Sequence, residues 1–417
     1  HAMVSEEMRE KLNLYGQAHL IGFYGELSAA EKSQLENQLE TIDFALMERL
    51  FRQTQEQKAE PPAGIEPIPC AVEAAWTTQE KQNYYLRGME ILRDGKYAAV
   101  TMAGGQGTRL GHPGPKGTFR ICVPEEISLF EIQCRRLKAR SEECGRTIPW
   151  YIMTSEENDA ETKRFFRENG FFGYPEEDVV FFRQFMLPML DQNGKLLLEE
   201  KYKIREGADG HGGIFRAMLK RGVTEDLKRR GIEWVYTGGI DNVLARPADP
   251  LLIGYLAANH YELGGKSIIK RDAYEKAGVF CRKNGRPFVI EYTEIPAELA
   301  EQRDGAGAFV YGDAHILCNL FRVDVFDKMG EEGLPYHAAC KKASYIDAQG
   351  RRIEPDRPNA YKFESFLFDA FSFYQKMGIL RVEREREFAP IKNRTGEDSP
   401  ETAQKLYAEA AKERSAL

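Results

Sequence analysis

At 417 residues, with 42% hydrophobic and 29% charged residues, the chain can bury a large core and falls among globular sequences rather than disordered ones. No apolar run approaches a bilayer span, and seven cysteines without a CxxC pair argue against a disulfide framework and a zinc site. A net charge of −7 argues against a general nucleic-acid surface, so any anion site must be a local pocket of positive charge.

His1-Ala2-Met3 resembles a tag remnant ahead of a native Met, and the charged, amphipathic stretch after it is unlike a secretory signal, so a cytoplasmic protein is expected. Ser28 and Glu31 form a capping-box start, and Leu35, Leu39, Ile42, Leu46 and Leu50 follow at helical spacing, which predicts an amphipathic helix. Pro61, Pro62, Pro67 and Pro69 mark an extended connector before a second helical stretch over about 83–92. From Lys96, short apolar runs at 97–102, 148–153, 179–182, 234–237 and 267–269 read as strands, with helical patterns such as 127–140 and 160–169 between them. That alternation predicts a mainly parallel α/β sheet with helices on both faces. From about 361 an aromatic helix carries Phe363, Phe366, Phe368, Phe371 and Phe373, and an Ala/Glu/Lys-rich helix runs from about 400 to 417. The expected division is therefore an N-terminal helical segment (1–95), a central domain (96–360) and a C-terminal segment (361–417) that ends in a helix.

The stretch "VTMAGGQGTRLGHPGPKG" (100–117) sets glycines beside Arg109 and Lys116 directly after an apolar run. Glycines let backbone N–H groups approach a ligand, and the cations point to an anion. The dinucleotide fingerprint fails because Leu110 stands where it needs glycine, and a Walker loop fails because Pro115 and Gly117 flank Lys116. What remains is a strand, a glycine turn at its carboxyl end, and a loop that returns both cations to the crevice where open α/β sheets bind ligands.

The same stretch resembles the signature loop of the UTP:sugar-1-phosphate uridylyltransferases, the UDP-sugar pyrophosphorylase family, in its UDP-N-acetylglucosamine branch. "IPWYIMTS", "FFRQFMLP", "DGHGGIFRAM", "DNVLARPADP", "KFESFLFDAF" and "FAPIKN" follow in the family's order, and "GQAHLIGFYGEL" resembles its helical opening. The resemblance implies a mixed, mainly parallel Rossmann-like nucleotidyltransferase sheet flanked by helices, with 96–360 as the catalytic domain, the C-terminal segment completing the site, and a short C-terminal extension in place of the longer relatives' additional domain. It also implies the reaction: a sugar 1-phosphate attacks the α-phosphorus of UTP, one Mg²⁺ assists, and pyrophosphate leaves.

Residue by residue, the resemblance assigns Ala103, Gly104, Gly105 and Gly107 to nucleotide contacts and Arg109 and Lys116 to the phosphates, with Lys362 and Lys392 as further phosphate-facing lysines. Asp241 follows the strand of "EWVYTGGI" at the crevice edge and is the expected Mg²⁺ ligand, a carboxylate suiting a hard cation. Gln184 matches the position that reads the uracil edge, and Gly210 and His211 lie in a loop near uridine and sugar, His211 as a donor and not a base. Gly278, Glu291, His315, Phe366 and Phe368 match the sugar pocket. His211 and His315 stand where the branch has Asn, and His at position 211 is more typical of UDP-glucose pyrophosphorylases. The alternatives are therefore glucose or galactose 1-phosphate as substrate, and a non-catalytic nucleotide-sugar-binding protein. UTP and a sugar 1-phosphate are the expected partners, with neither nucleic acid nor membrane.

Overall fold

The computed structural model describes residues 4–56 and 62–413. The expected tag remnant, Pro61 and residues 414–417 of the expected C-terminal helix lie outside the described residues, and the described helix spans Pro400–Ala411.

The central apolar runs become strands because both of their sides are buried. Tyr97–Met102 and Trp150–Thr154 are buried throughout. Tyr97, Ala99, Trp150, Ile152, Trp234 and Tyr236 share one core with Met89, Leu129, Leu137, Leu252 and Leu256 from flanking helices. Their strand neighbours Ala98, Val100, Tyr151 and Val235 are buried as well. Side chains alternate across a strand, so both faces of the sheet are covered. In spatial order the sheet runs Ala71–Val72, Gly378–Arg381, Leu263–Ile269, Asp313–Arg322, Trp234–Gly239, Tyr97–Met102, Trp150–Thr154 and Val179–Arg183. Asp313–Arg322 is antiparallel to both neighbours, and the other pairings along this path are parallel, so the sheet is mainly parallel as the alternation predicts and mixed as the resemblance implies. Met102 sits opposite Gly239, so the segments beginning at Ala103 and Ile240 leave the sheet at one carboxyl edge.

The chain divides into two compact units. The sheet belongs to the unit formed by residues 60–184, Ile214–Gly333 and Phe368 onward. The other comprises residues up to 59, Phe185–Gly213 and Leu334–Leu367. There Leu12, Leu35, Leu39, Phe44 and Leu50 from three helices bury against Leu190, Ile204 and Phe363 from short strands and Leu196 from the bridged turn between two of them. The expected linear division at 95 and 360 therefore differs from the spatial one, because the N-terminal helices find their apolar partners in two segments inserted from the rest of the chain.

Local structure also departs from the sequence reading in two places. The amphipathic run from Ser28 is two helices, Ala29–Thr41 and Phe44–Gln55, because Asp43 caps the second by accepting from the Leu46 N–H. The expected aromatic helix is a strand, Ala360–Glu364, followed by 3₁₀ turns over Leu367–Phe373. Phe363 pairs with Ala338 and Tyr361 with Cys340, so a ladder to the His337–Lys341 strand overrides the local helical spacing.

Candidate functional site

The 103–117 loop folds back on itself at the carboxyl edge of the sheet. Gly107 N–H donates to the Gly114 carbonyl (2.9 Å), Lys116 N–H donates to the Gly105 carbonyl (3.0 Å), and Gln106 bridges to Pro115. Gly111 and Gly114 take φ of +70° and +117°, and a Cβ on Gly117 would stand 2.2 Å from the Phe130 ring, so these glycines are fixed by the turn and its packing. Asn158 anchors the loop from below: its buried side-chain amide donates to the Ala103 carbonyl at 3.0 Å. Gly104 lies against Gln184, whose Oε1 would be 2.8 Å from an added Cβ, so the glycine expected at the nucleotide and the amide expected at the base edge meet although 80 positions apart. Gln184 is held where its strand ends by a 2.8 Å bond from its N–H to the Thr154 carbonyl.

Asp241 is brought to the same edge by the neighbouring strand and pinned by the C-terminal segment. Its carbonyl accepts from the Ile391 N–H (3.0 Å), Val243 N–H donates to the Ala389 carbonyl, and the Asn242 side chain bonds both the Ala389 N–H and the Glu387 carbonyl. Lys392 follows Ile391 directly, so a predicted metal ligand and a predicted phosphate lysine come from segments 151 positions apart that the backbone bonds hold together. Arg109 reaches the same segment, donating from Nη2 to Asn393 Oδ1 at 2.7 Å. Burial pulls the Lys116 ammonium below the usual lysine range, Asp241 works against that fall, and Lys392 and Arg109 add to it. Asp241, Lys392 and Arg109 thus all act on the Lys116 ammonium. An excess of cations on a strand-end loop is suited to phosphate oxygens.

Asp241 fits a magnesium ion of the kind that takes one or two carboxylates plus substrate phosphates. No group of three or more His, Cys, Asp or Glu side chains that could hold a metal occurs among the described residues, so a cage built from protein ligands alone is not on offer there.

Other sugar-pocket candidates of the sheet unit also cluster. Gly278 packs on Glu291 and Val289: a Cβ would lie 2.9 Å from Glu291 Oε1 and 2.7 Å from Val289 Cγ1, so close packing alone requires this glycine. His315 N–H donates to the Gly278 carbonyl, and its ring stands edge-on to Phe280, Phe368 and Phe371. Burial pulls the His315 imidazole down to about 4, against a raising bond between Nε2 and Asn319 Oδ1 (2.8 Å), so the ring is neutral at physiological pH. Phe368 is buried as a core residue beside it.

In the helical unit, Gly210, His211, Phe366 and Lys362 come together. Gly210 has φ +85°, and a Cβ there would meet the Ser365 carbonyl oxygen at 2.3 Å. The Leu367 N–H donates to His211 Nδ1 at 2.9 Å, which leaves the proton on Nε2 and makes that nitrogen a donor. Phe366 lies against the rings of His211 and His337. Lys362 contacts Gly207 and is 3.7 Å from Glu364.

A cavity of about 940 Å³ in the sheet unit, whose wall includes Glu73, Arg246, Asp249, Arg271, Arg384 and Glu387, holds none of the candidate residues. The residues that sequence reasoning missed are amides, Asn158, Asn242 and Asn393, each tying a site loop to its surroundings. Among the described residues, no helix is long and apolar enough to cross a membrane.

The profile of the family described as UTP–glucose-1-phosphate uridylyltransferase matches residues 44–403. The chain is 40% identical over 357 residues to the UDP-N-acetylglucosamine pyrophosphorylase of Saccharomyces cerevisiae, covering 82% of this chain and 75% of that protein. It is 36% identical over 422 residues to the UDP-N-acetylhexosamine pyrophosphorylase-like protein 1 of Xenopus tropicalis, covering 96% and 83%. Among solved structures, the uridine diphosphate N-acetylglucosamine pyrophosphorylase of Trypanosoma brucei in complex with an inhibitor superposes with a TM-score of 0.81 at 31% identity, over 97% of this chain and 85% of that one.

Proposed function

Because the chain belongs to the UDP-sugar pyrophosphorylase family, we propose that it is a cytoplasmic uridylyltransferase that makes a UDP-sugar and pyrophosphate from UTP and an N-acetylhexosamine 1-phosphate. The observation that supports this reading is the meeting of the strand-end loop with the C-terminal segment: Arg109 donates to Asn393, the Ile391 N–H donates to the Asp241 carbonyl, and Lys116 feels Asp241, Lys392 and Arg109. A phosphate oxygen of the sugar 1-phosphate attacks the α-phosphorus of UTP, the bond from that phosphorus to the bridging oxygen breaks, and pyrophosphate leaves with the electron pair. A phosphate monoester with a second pKa near 6 is already mostly a dianion at neutral pH, so the chain need supply no general base. Its task is positioning and neutralisation.

Arg109 and Lys116 hold the phosphates that transfer and leave, and the other lysines, Lys392 and Lys362, face phosphate oxygens. Asp241 would hold Mg²⁺, which when bound neutralises phosphate charge. Ala103, Gly104, Gly105 and Gly107 offer backbone to the nucleotide, Gln184 reads the base edge, and the resemblance assigns Gly210 and His211 to nucleotide contacts. With its proton on Nε2, His211 is a donor toward substrate. Gly278, Glu291, His315, Phe366 and Phe368 are assigned to the sugar.

A second reading, glucose or galactose 1-phosphate, is favoured by one observation: His211 stands where the acetylhexosamine branch has Asn. Pyrophosphate release with UTP and Mg²⁺, measured against glucose, galactose, N-acetylglucosamine and N-acetylgalactosamine 1-phosphates, separates the two. The expected result is release with an N-acetylated sugar at least about tenfold faster than with plain hexoses. Release only with plain hexoses would install the second reading, and no release from folded protein would leave a binding protein.

A further inference from the structure

The loop between Lys392 and Ser399 is built around one carbonyl. The Asp398 oxygen accepts from the N–H of Lys392 (2.7 Å) and from that of Asn393 (2.9 Å). To offer it twice, Asp398 adopts φ +53°, a conformation that Asp tolerates better than most residues. The Asn393 side chain completes the turn: Nδ2 donates to the Glu397 carbonyl at 2.9 Å, and Oδ1 faces outward to accept from Arg109 Nη2 at 2.7 Å. From outside the turn, Arg271 reaches both acids, Nη1 lying 3.2 Å from Glu397 and Nη2 3.4 Å from Asp398. One end of this segment is pinned to Asp241 through the Ile391 N–H, and the other enters the helix Pro400–Ala411 through the buried cap Ser399.

Arg109 itself rises from an exposed 3₁₀ turn, Thr108–Leu110. A long side chain there is free to sample many rotamers, and the bond to Asn393 is what selects one. We propose that Asn393 is a positioning residue for phosphoryl transfer: by accepting from Arg109 it sets the direction of that guanidinium, and through the Asp398 carbonyl, clamped by Arg271, the same turn sets Lys392. This rests on the uridylyltransferase reading of the site. The clamp is partly exposed, with Glu397 80% exposed, so it contributes little to global stability, and its effect falls on geometry.

The test is steady-state pyrophosphate release by the full chain, with UTP, Mg²⁺ and N-acetylglucosamine 1-phosphate, for wild type, Asn393→Ala, Arg109→Ala and the double variant. Asn393→Ala is expected to lower kcat/KM about tenfold without moving the melting temperature, a modest misplacement of a phosphate-binding group. The double variant should be no slower than Arg109→Ala, because both changes remove one function. Asn393→Asp, which keeps the acceptor toward Arg109, should recover part of the loss. Arg271→Gln supplies a second route, with an expected loss of about threefold, should Asn393→Ala fail to fold. Wild-type release with Asn393→Ala within twofold of it, or losses that multiply in the double variant, would overturn the proposal alone. No release from the folded wild type would overturn the underlying reading and this proposal with it.

Discussion

Two clusters of charge in the sheet unit are built from the same residue types and are balanced in opposite ways. In the first, Lys266 is 1% exposed, lies 2.5 Å from Asp249 and also pairs with Glu387, while Arg246 lies 3.8 Å from Glu387. Burial works against the Lys266 charge, yet its two carboxylates hold its pKa above the ordinary lysine value. In the second, Lys116 feels Asp241, Lys392 and Arg109, and burial together with the two like charges holds it below that value. Depth alone does not distinguish a structural cluster from a binding one. The difference is neutralisation: carboxylates from Asp249 and Glu387 satisfy the first, whereas the second keeps more cations than carboxylates, a surplus that the proposed function assigns to the phosphates of the substrates.

Removing the buried cation breaks the comparison hardest. Lys266→Met should destabilise the fold by about 3–5 kcal/mol, because Asp249 and Glu387 would be left buried and facing each other without it. Urea denaturation reads that loss, and turnover per folded molecule should stay near wild type. Lys116→Ala should do the reverse. Its proposed role in stabilising transferring charge predicts a fall in kcat of about 10² to 10³ at an unchanged melting temperature. If instead Lys116→Ala unfolded the chain while keeping turnover, the two clusters would have been assigned the wrong way round.

The two clusters were unequally legible in the sequence. Arg109, Lys116 and Asp241 sit just after apolar runs, and a strand end is visible locally, so the crevice edge followed from pattern and its remaining residues from resemblance. Lys266 lies 17 positions from Asp249 and 121 from Glu387 and the three carry no local signal; only the fold's ion pairs show that they meet. The same reason explains the misread aromatic segment, where Phe363, Phe366 and Phe371 keep helical spacing but the Ala360–Glu364 strand answers to a partner some twenty residues away. The break between the two N-terminal helices was visible in principle, since Asp43 precedes a new apolar repeat and is a strong capping residue. The amides Asn158, Asn242 and Asn393 act by tying carbonyls and side chains across loops, and nothing in their neighbours announces it.

Glu73 offers the finest test, because it borders the neutralised cluster without sharing in it. Burial first, then the Glu387 and Asp249 carboxylates, push its carboxyl up to about 7, and Lys266 and Arg246 only partly oppose them. A raised folded pKa means the folded chain binds this proton more tightly than the unfolded one. The resulting stability is fully present below the ordinary value of 4.5 and is lost as pH rises through about 7. Glu73→Gln, which keeps the shape and removes the titration, should therefore be more stable than wild type at pH 8, by about 2 kcal/mol once the partly open setting is allowed for. That gain should shrink toward zero by pH 5, where the wild-type side chain is already mostly neutral in the fold. Paired urea titrations of the two proteins at pH 5 and pH 8 measure the difference, and other titrating groups cancel in it. An equal difference at both pH values would mean that Glu73 carries no strain from the cluster. A loss at pH 8 would mean that its charge is wanted, and that the cluster has one cation more than the pairs around Lys266 account for.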